Sequence, residues 1–287
     1  MPAEERVVLV TGATGKQGGA TASELLARGH RVRVMTRKPD GEAARELTRR
    51  GAEVVKGDLD DPASLEKPLA GAWGAFAVQN TWEAGVEREE EQGHRFAKAA
   101  RAAGVRHFVY TSVGSADRRT GIPHFENKAR VEETVRSAGF PSYTILRPVF
   151  FMENFASPWF LPALKDGKLA MALRPDTVLQ MIAVSDVGKY ALHAFEHPEE
   201  MNRAEVDLAG DQHTMPQTAE IIGNAMGRRV EFAPPPIEAV RQGSADFAAM
   251  LEWFDRVGYD VDIPGNERRY GIRPTSLKEW AARQNWG

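Results

Sequence analysis

From Val7 to about Pro148 the chain alternates short runs of β-branched and apolar residues with longer stretches whose apolar positions recur every three or four residues. That alternation predicts a parallel sheet flanked by helices. Strands are expected at Val7–Val10, Arg31–Thr36, Glu53–Lys56, Gly74–Gln79, Arg106–Ser112 and Ser142–Leu146. Helices are expected at Gly18–Arg28, Gly41–Arg50, Pro62–Leu69, Glu87–Ala103 and Lys128–Ser137. Gly29, Gly51, Gly71, Gly104 and Gly139 stand just past helix ends, where a left-handed cap costs least with glycine. Repetition of one strand–helix unit points to an α/β fold, an open, doubly wound parallel sheet of the Rossmann kind.

After Pro148 the regularity fails. Phe150 to Phe160 is aromatic-rich, is interrupted by Pro158, and reads as a segment lining something rather than a surface helix. Val184–Glu196 and Pro216–Met226 read as helices and Glu205–Ala209 as a strand. The run Ala233–Pro236 reads as a stiff connector, because proline continues neither a helix nor an interior strand. The remainder, to Gly287, is expected to be mostly helical. Residues 1–153 are therefore expected to form the sheet domain, with 184–210 returning to it. Residues 154–183 and 211–287 would make a smaller, interleaved C-terminal α+β lobe.

Composition narrows the function classes. The 287 residues carry 37 basic and 40 acidic side chains, a formal net charge of −3, and no cysteine. Without cysteine there are no disulfides, thiolate metal sites, iron–sulfur clusters or thiol nucleophiles. A slightly acidic balance argues against direct nucleic-acid binding, which needs cations to displace phosphate counterions. Paired arginines at 49–50, 118–119, 228–229 and 268–269 are scattered and read as surface charge. The charged start, Met1 to Arg6, is followed by only four apolar residues, too few for a signal-peptide core, and no apolar run reaches the roughly 18 residues of a membrane span. A cytoplasmic protein with no membrane partner is the expectation.

The first chemistry-bearing segment is Val7-Val8-Leu9-Val10-Thr11-Gly12-Ala13-Thr14-Gly15-Lys16-Gln17-Gly18. It sets glycines at GxxGxxG spacing between a strand and a helix, the construction a pyrophosphate requires. Gly12 allows the tight turn, Gly15 lets backbone approach the phosphates, and Gly18 lets helix pack closely on strand; Thr14, Lys16 and Gln17 complete the loop. The second strand ends Thr36-Arg37-Lys38, with no acid to accept a ribose 2′-hydroxyl. The Arg37 fork, with Lys38 or Lys16 as a supplementary charge, suits a 2′-phosphate, so NADP(H) is expected over NAD(H), bound by residues 1–153. Asp58 and Leu59 after the third strand are expected beside the adenine, and Gln79 and Asn80 after the fourth beside the pyrophosphate and ribose; each is also ordinary turn chemistry.

Taken together, GATGKQGG at 12–19, Met35-Thr36-Arg37, Gly57-Asp58-Leu59-Asp60-Asp61, Asn80-Thr81-Trp82, His124-Phe125-Glu126-Asn127-Lys128 and Leu146-Arg147-Pro148 through Phe151-Met152-Glu153-Asn154-Phe155 resemble the NmrA-like family. These are atypical relatives of the short-chain dehydrogenases, and the likeness, strongest to the NADPH-sensing regulators, runs from about Val7 to Leu192. Short-chain dehydrogenases use a tyrosine followed four residues later by a lysine. Here Lys128 is present and His124 stands in the tyrosine's place; Tyr110 and Tyr143 fall on expected strands, out of register. Classical alcohol dehydrogenation is therefore not expected.

The resemblance implies that Lys128 holds the nicotinamide ribose and ring. A competing reading makes it a general acid or base, as in related aromatic-ether reductases, and His124 a proton donor near neutral pH. Phe151 and Asn154 are implied as cofactor contacts. The basic residue some sensors hold after the fourth strand is not carried over: this chain has Glu87-Arg88-Glu89-Glu90-Glu91, which reads as a solvated helix face. His193 and His197 share metal-pair spacing without an accompanying carboxylate motif and read as a helix end, so no metal is expected. The resulting expectation is an NADP(H)-binding redox sensor acting through a regulatory protein partner. The alternative is an NADPH-dependent reductase of a quinone, enone or aromatic ether.

Overall fold

The computed structural model describes residues 6–287; the charged start discussed above lies outside them apart from Arg6. Two compact units interleave along the chain. The first comprises residues up to Asp117, with His124–Arg147 and Val187–Val206; the second comprises Arg118–Pro123, Pro148–Asp186 and Asp207–Gly287.

The first unit is built on β1 (Val7–Val10), β2 (Arg31–Thr36), β3 (Glu53–Lys56), β4 (Gly74–Ala77), β5 (His107–Thr111) and β6 (Ser142–Pro148). A seventh strand, Ala204–Leu208, lies beside β6, and the order across the sheet is β3-β2-β1-β4-β5-β6-seventh. Every pairing from β3 to β6 is parallel. This is the doubly wound α/β sheet expected from the alternating pattern, with its switch point between β1 and β4. The central strands β1, β4 and β5 are buried at every position, whereas the edge strand β3 buries only Val55 fully. Two-sided burial is what a strand of a parallel sheet covered by helices undergoes.

The connecting helices are α1 (Lys16–Ala27), α2 (Glu42–Arg49), α3 (Glu66–Leu69), α4 (Thr81–Ala84), α5 (Val86–Ala102) and α6 (Pro123–Ser137). Gly29, Gly51, Gly71, Gly104 and Gly139 all have positive φ, as their expected cap role requires. The helix expected over Pro62–Leu69 is a 3-10 turn, Pro62–Leu65, running into α3. Pro68 has no N–H to donate to Ser64 O, so a regular helix cannot run unbroken from Pro62 to Leu69. Leu65, Leu69, Phe96, Ala97, Ala100, Phe108, Val131 and Val135 join Leu9 and Ala75 in one core.

His107 on β5 is fully buried, its Nδ1 2.7 Å from Ser142 Oγ, and burial pushes its pKa down to about 4. An unfolded histidine titrates near 6.5, so between about pH 6.5 and 4 the unfolded chain takes up a proton that the folded chain refuses. Stability is therefore expected to fall as pH drops through this window. Urea midpoints at several pH values check it: His107→Gln should show a shallower decline than the wild type.

In the second unit, Asp211–Thr214 pairs antiparallel with Val178–Ile182, which pairs in parallel with Phe150–Phe151. Lys168–Leu169 and Glu231–Phe232 form a two-stranded parallel ribbon. Its later segments are mostly helical: Met215–Met226, Ile237–Gly243, Ala245–Arg256, Ile263–Tyr270 and Leu277–Ala282. Capping boxes at Thr214/Gln217 and Ser276/Glu279 start two of them. The segment read as a lining is largely core: Phe150, Phe155 and Phe160 are buried and pack ring to ring, with centroids 5.6 and 5.8 Å apart. Among the described residues no helix is long and apolar enough to cross a membrane.

Candidate functional site

Because β1 to β6 run the same way, the loops after them share the carboxyl edge of the sheet, the edge on which open α/β sheets gather ligands. The loop after β1 is pinned to β4. Thr11 N–H donates to Phe76 O at 3.0 Å, its hydroxyl donates to Val78 O at 3.2 Å, and it accepts from Val78 N–H at 2.9 Å. Gly12 turns the chain at φ +60°, and a Cβ there would lie 2.6 Å from Val78 Cγ1. A Cβ on Gly18 would lie 2.4 Å from Thr11 O and Gly12 C, so α1 reaches the loop only because residue 18 has no side chain. Helix α1 begins at Lys16 with no side-chain cap and no acid in its first turn. Gly12, Thr14, Gly15 and Lys16 are exposed. Such a helix start presents N–H donors and the positive end of the dipole. Gln17 points across to β5, where its Oε1 accepts from Thr111 Oγ1 at 2.6 Å.

At the end of β2, the exposed Arg37 guanidinium pairs with Glu83 on α4, which holds its pKa above the ordinary value together with the charges of Asp58 and Asp60. Lys38 is exposed, and its N–H donates to Thr36 Oγ1. After β3, Asp58 is committed to its own turn: Oδ1 accepts from Asp60 N–H and its backbone N–H donates to Ser64 Oγ. The Leu59 carbonyl accepts from Arg95 Nη1 at 2.6 Å. After β4, Asn80 Oδ1 caps α4 by accepting from Trp82 N–H. Gln79 differs: its side chain is buried, and neither Oε1 nor Nε2 has a hydrogen-bond partner in the protein. A buried amide at the switch point of the sheet is expected to be satisfied by a ligand or water. Ser112, at the end of β5, has an equally orphaned hydroxyl. Sequence reasoning passed over Ser112; its signal was a small hydroxyl residue closing a strand whose companions end in candidate ligand groups.

The helix expected from Lys128 begins five residues earlier and takes in His124. Proline is favoured at a first helical position, so α6 begins at Pro123 and takes His124 into its first turn, one turn before Lys128. The imidazole is buried beside Phe125, centroids 4.8 Å apart, and beside the half-exposed Trp82, 5.4 Å. Tyr110 is fully buried on β5, and burial together with the Glu89 charge pushes its phenol well above its ordinary value. Phe151 and Asn154 belong to the second unit. Phe151 is half-buried and paired with Ile182, and Asn154 closes the turn Met152–Asn154.

The Glu87–Glu91 run is not simply a solvated face. Glu89 is 2% exposed. Its Oε1 accepts from Lys128 Nζ at 2.6 Å, and its Oε2 accepts from Asn127 Nδ2 at 2.8 Å and from the Thr81 hydroxyl. Burial pushes the Glu89 carboxyl up, yet the Lys128 ammonium and these hydrogen bonds outweigh it and hold the pKa below the usual value. The missed signal was periodicity. Glu89 lies on the same stripe of α5 as Gln92, Gly93, Phe96, Ala97 and Ala100, all buried.

The residues present fit an adenine dinucleotide: a glycine cradle that a Cβ would fill, an uncapped helix start, a cation at the end of β2, and an orphaned amide after β4. Comparison with known proteins bears on this. The sequence model of the NmrA-like family matches residues 4–281. An NmrA-like family domain-containing protein of Dictyostelium discoideum is 27% identical, across 97% of this chain and 98% of its own. A (4-alkanoyl-5-oxo-2,5-dihydrofuran-3-yl)methyl phosphate reductase of Streptomyces griseus is 30% identical across 82% of this chain and 79% of its own. The oxidoreductase FrzB of Cladobotryum is 35% identical over 54% of this chain, a match that spans half of FrzB. Among solved structures, the negative transcriptional regulator NmrA in complex with NAD matches with a TM-score of 0.81 at 20% identity, covering 99% of each chain. An NADPH-dependent quinone oxidoreductase of Escherichia coli, complexed with NADPH, matches with a TM-score of 0.79 at 24% identity, covering 96% of this chain and 98% of that one. At these identities the structures establish the shared fold, and the similar proteins include a regulator as well as oxidoreductases.

Proposed function

Because the chain belongs to the NmrA-like family, we propose that it binds NADP(H) at the carboxyl edge of its parallel sheet and reduces a conjugated acceptor, a quinone or an enone. The observation that carries the binding is the cradle, in which Gly12, Gly15 and Gly18 bring the start of α1 against the end of β1. There the pyrophosphate meets the helix start, Gln79 satisfies its amide on the cofactor, and Arg37 exchanges Glu83 for the 2′-phosphate. Bound in this way, NADPH supplies a hydride.

The choice of acceptor follows from what surrounds Lys128. The position of the short-chain dehydrogenases' relaying tyrosine holds His124, packed against Phe125 and Trp82, and Tyr110 is sealed inside β5. Alcohol oxidation by their mechanism needs a phenol at that position. A quinone or enone does not, because its reduced form is a stabilised anion that takes its proton from water. Trp82, half exposed beside the end of β4, offers an aromatic face to a planar acceptor. The reductase chemistry of the Streptomyces relative supports this reading. A redox sensor that binds NADP(H) without turnover is the second reading, and the same missing relay favours it. Phe151 and Asn154 are proposed as contacts to the nicotinamide end.

The test is NADPH oxidation against quinones, enones and simple alcohols, with NADH in parallel. Quinones or enones should be reduced and alcohols left untouched. NADPH binding without turnover of any acceptor would select the sensor. Arg37→Glu should weaken NADPH binding about 100-fold, because a charge-assisted pair is replaced by repulsion, and leave NADH within about threefold. Equal losses would remove Arg37 from the 2′-phosphate.

A further inference from the structure

We propose that Glu89 is the positioning residue for Lys128, anchoring Nζ so that the ammonium is presented to the cofactor's ribose as a fixed cation rather than as a mobile acid or base. This rests on the reading that a nicotinamide dinucleotide binds at the carboxyl edge of the sheet.

The hydrogen-bond accounting is asymmetric. Both Glu89 oxygens are engaged, one by Lys128 Nζ and the other by Thr81 and Asn127. Nζ carries three donors, and the Glu89 bond uses one. The anion is thus sealed, at 2% side-chain exposure, while Lys128 keeps 11% and two further N–H groups to offer. Glu89 is itself clamped. Thr81 begins α4 immediately after the Gln79-Asn80 turn, and Asn127 also donates to Val86 O at 2.8 Å, tying the first turn of α5 to α6. Three elements therefore converge on one carboxylate whose outward product is the placement of a single ammonium.

A purely structural role explains this poorly. An ion pair this deep gains little over two apolar side chains of similar volume, because both charges lose their hydration. The neighbouring titratable groups are committed elsewhere or stay neutral, and Asn127 Oδ1, buried without a hydrogen-bond partner among the described residues, carries no charge. On α5, Glu90 is held by Arg130 and His94. On α6, Glu132 is held by Arg136 and Arg147, and His124 packs against Trp82. On β5, Tyr110 stays protonated, its phenol raised by burial and by the Glu89 charge. Lys128 thus depends on Glu89 alone for a carboxylate partner among these groups.

The test is calorimetric titration of NADPH into the full chain, with melting temperatures measured alongside. Wild type, Glu89→Gln, Glu89→Asp, Lys128→Met and the double variant Glu89→Gln/Lys128→Met are compared. Glu89→Gln should weaken binding about tenfold, because the ammonium loses the carboxylate that fixes its place. Glu89→Asp keeps the charge but withdraws it by one methylene; its affinity should fall between the two while its melting temperature stays near that of wild type. In the Lys128→Met background, Glu89→Gln should cost no further affinity. Additive losses in the double variant overturn the proposal, as does wild-type affinity in folded Glu89→Gln. If Glu89→Gln does not fold, Glu89→Asp decides: unchanged affinity overturns the proposal and weakened affinity sustains it. Wild-type protein that ignores NADPH overturns the underlying reading, whereas Lys128→Met that binds it normally overturns the proposal alone.

Discussion

Replacing Arg147 with alanine is expected to cost about 3 kcal/mol of stability, the lower end of the range for breaking a buried ion pair by removing one partner. Arg147 on β6 is 3% exposed and Glu132 on α6 is 1% exposed. The guanidinium grips the carboxylate with two bonds, Nε to Oε1 at 2.9 Å and Nη2 to Oε2 at 2.7 Å, and Nη2 also reaches Glu205 at 2.6 Å. Truncation leaves the Glu132 charge buried with Arg136 Nη2 as its remaining donor, at 2.7 Å. That residual bond is the reason for choosing the lower end. Urea unfolding should show the midpoint falling with an unchanged slope, and the melting temperature should drop by about 6–12 °C. Arg147→Met/Glu132→Leu, which removes both charges, should lose less than Arg147→Ala alone. A double variant less stable than the single would show that this network stabilises by attraction beyond what burial of its members costs.

The same pair shows what the sequence withheld. Arg147 was legible only as part of a family-like Leu-Arg-Pro string, and Glu132 sits in a helix whose charges look uniformly solvated. Burial of a charge depends on which element covers it, and that is a property of tertiary packing. Glu89 was hidden for the same reason, inside a run of acids, although its place on the buried stripe of α5 marked it. The sheet was legible because β1 and β4 are unbroken apolar runs, β5 is apolar between its two end residues, and the helices between strands are punctuated by Gly29, Gly51, Gly71, Gly104 and Gly139, all with positive φ. Boundaries failed where two signals competed. Proline at 123 starts a helix that apolar periodicity alone placed five residues later, and this brings His124 into a helical turn. In the candidate site the glycines and Arg37 were legible from local spacing. Gln79 was legible as a candidate but not as an unsatisfied amide, and Ser112 was passed over, since satisfaction is decided by neighbours distant in sequence.

Two glycine substitutions should separate the architecture of the cradle from its use. At Gly18 an added methyl meets main chain, Thr11 O and Gly12 C at 2.4 Å and Gly12 O at 2.5 Å. Thr11 cannot retreat, because its N–H and hydroxyl are both bonded to β4. Helix α1 must move outward, so Gly18→Ala should lose about 1–3 kcal/mol of stability, the cost of overpacking, together with NADPH affinity. Gly15 is a different case. Its backbone, at φ −106° and ψ −170°, suits any residue, and its Cβ would stand 3.3 Å from Gly12 O. Gly15→Ala should therefore melt close to wild type, yet bind NADPH at least about tenfold more weakly, because its methyl occupies the surface across which the pyrophosphate approaches the helix start. Thermal unfolding and calorimetric titration of both variants separate the outcomes. Gly15→Ala that binds with wild-type affinity would mean that the dinucleotide does not lie against this loop, and the roles proposed for Arg37, Gln79 and Lys128 would fall with it.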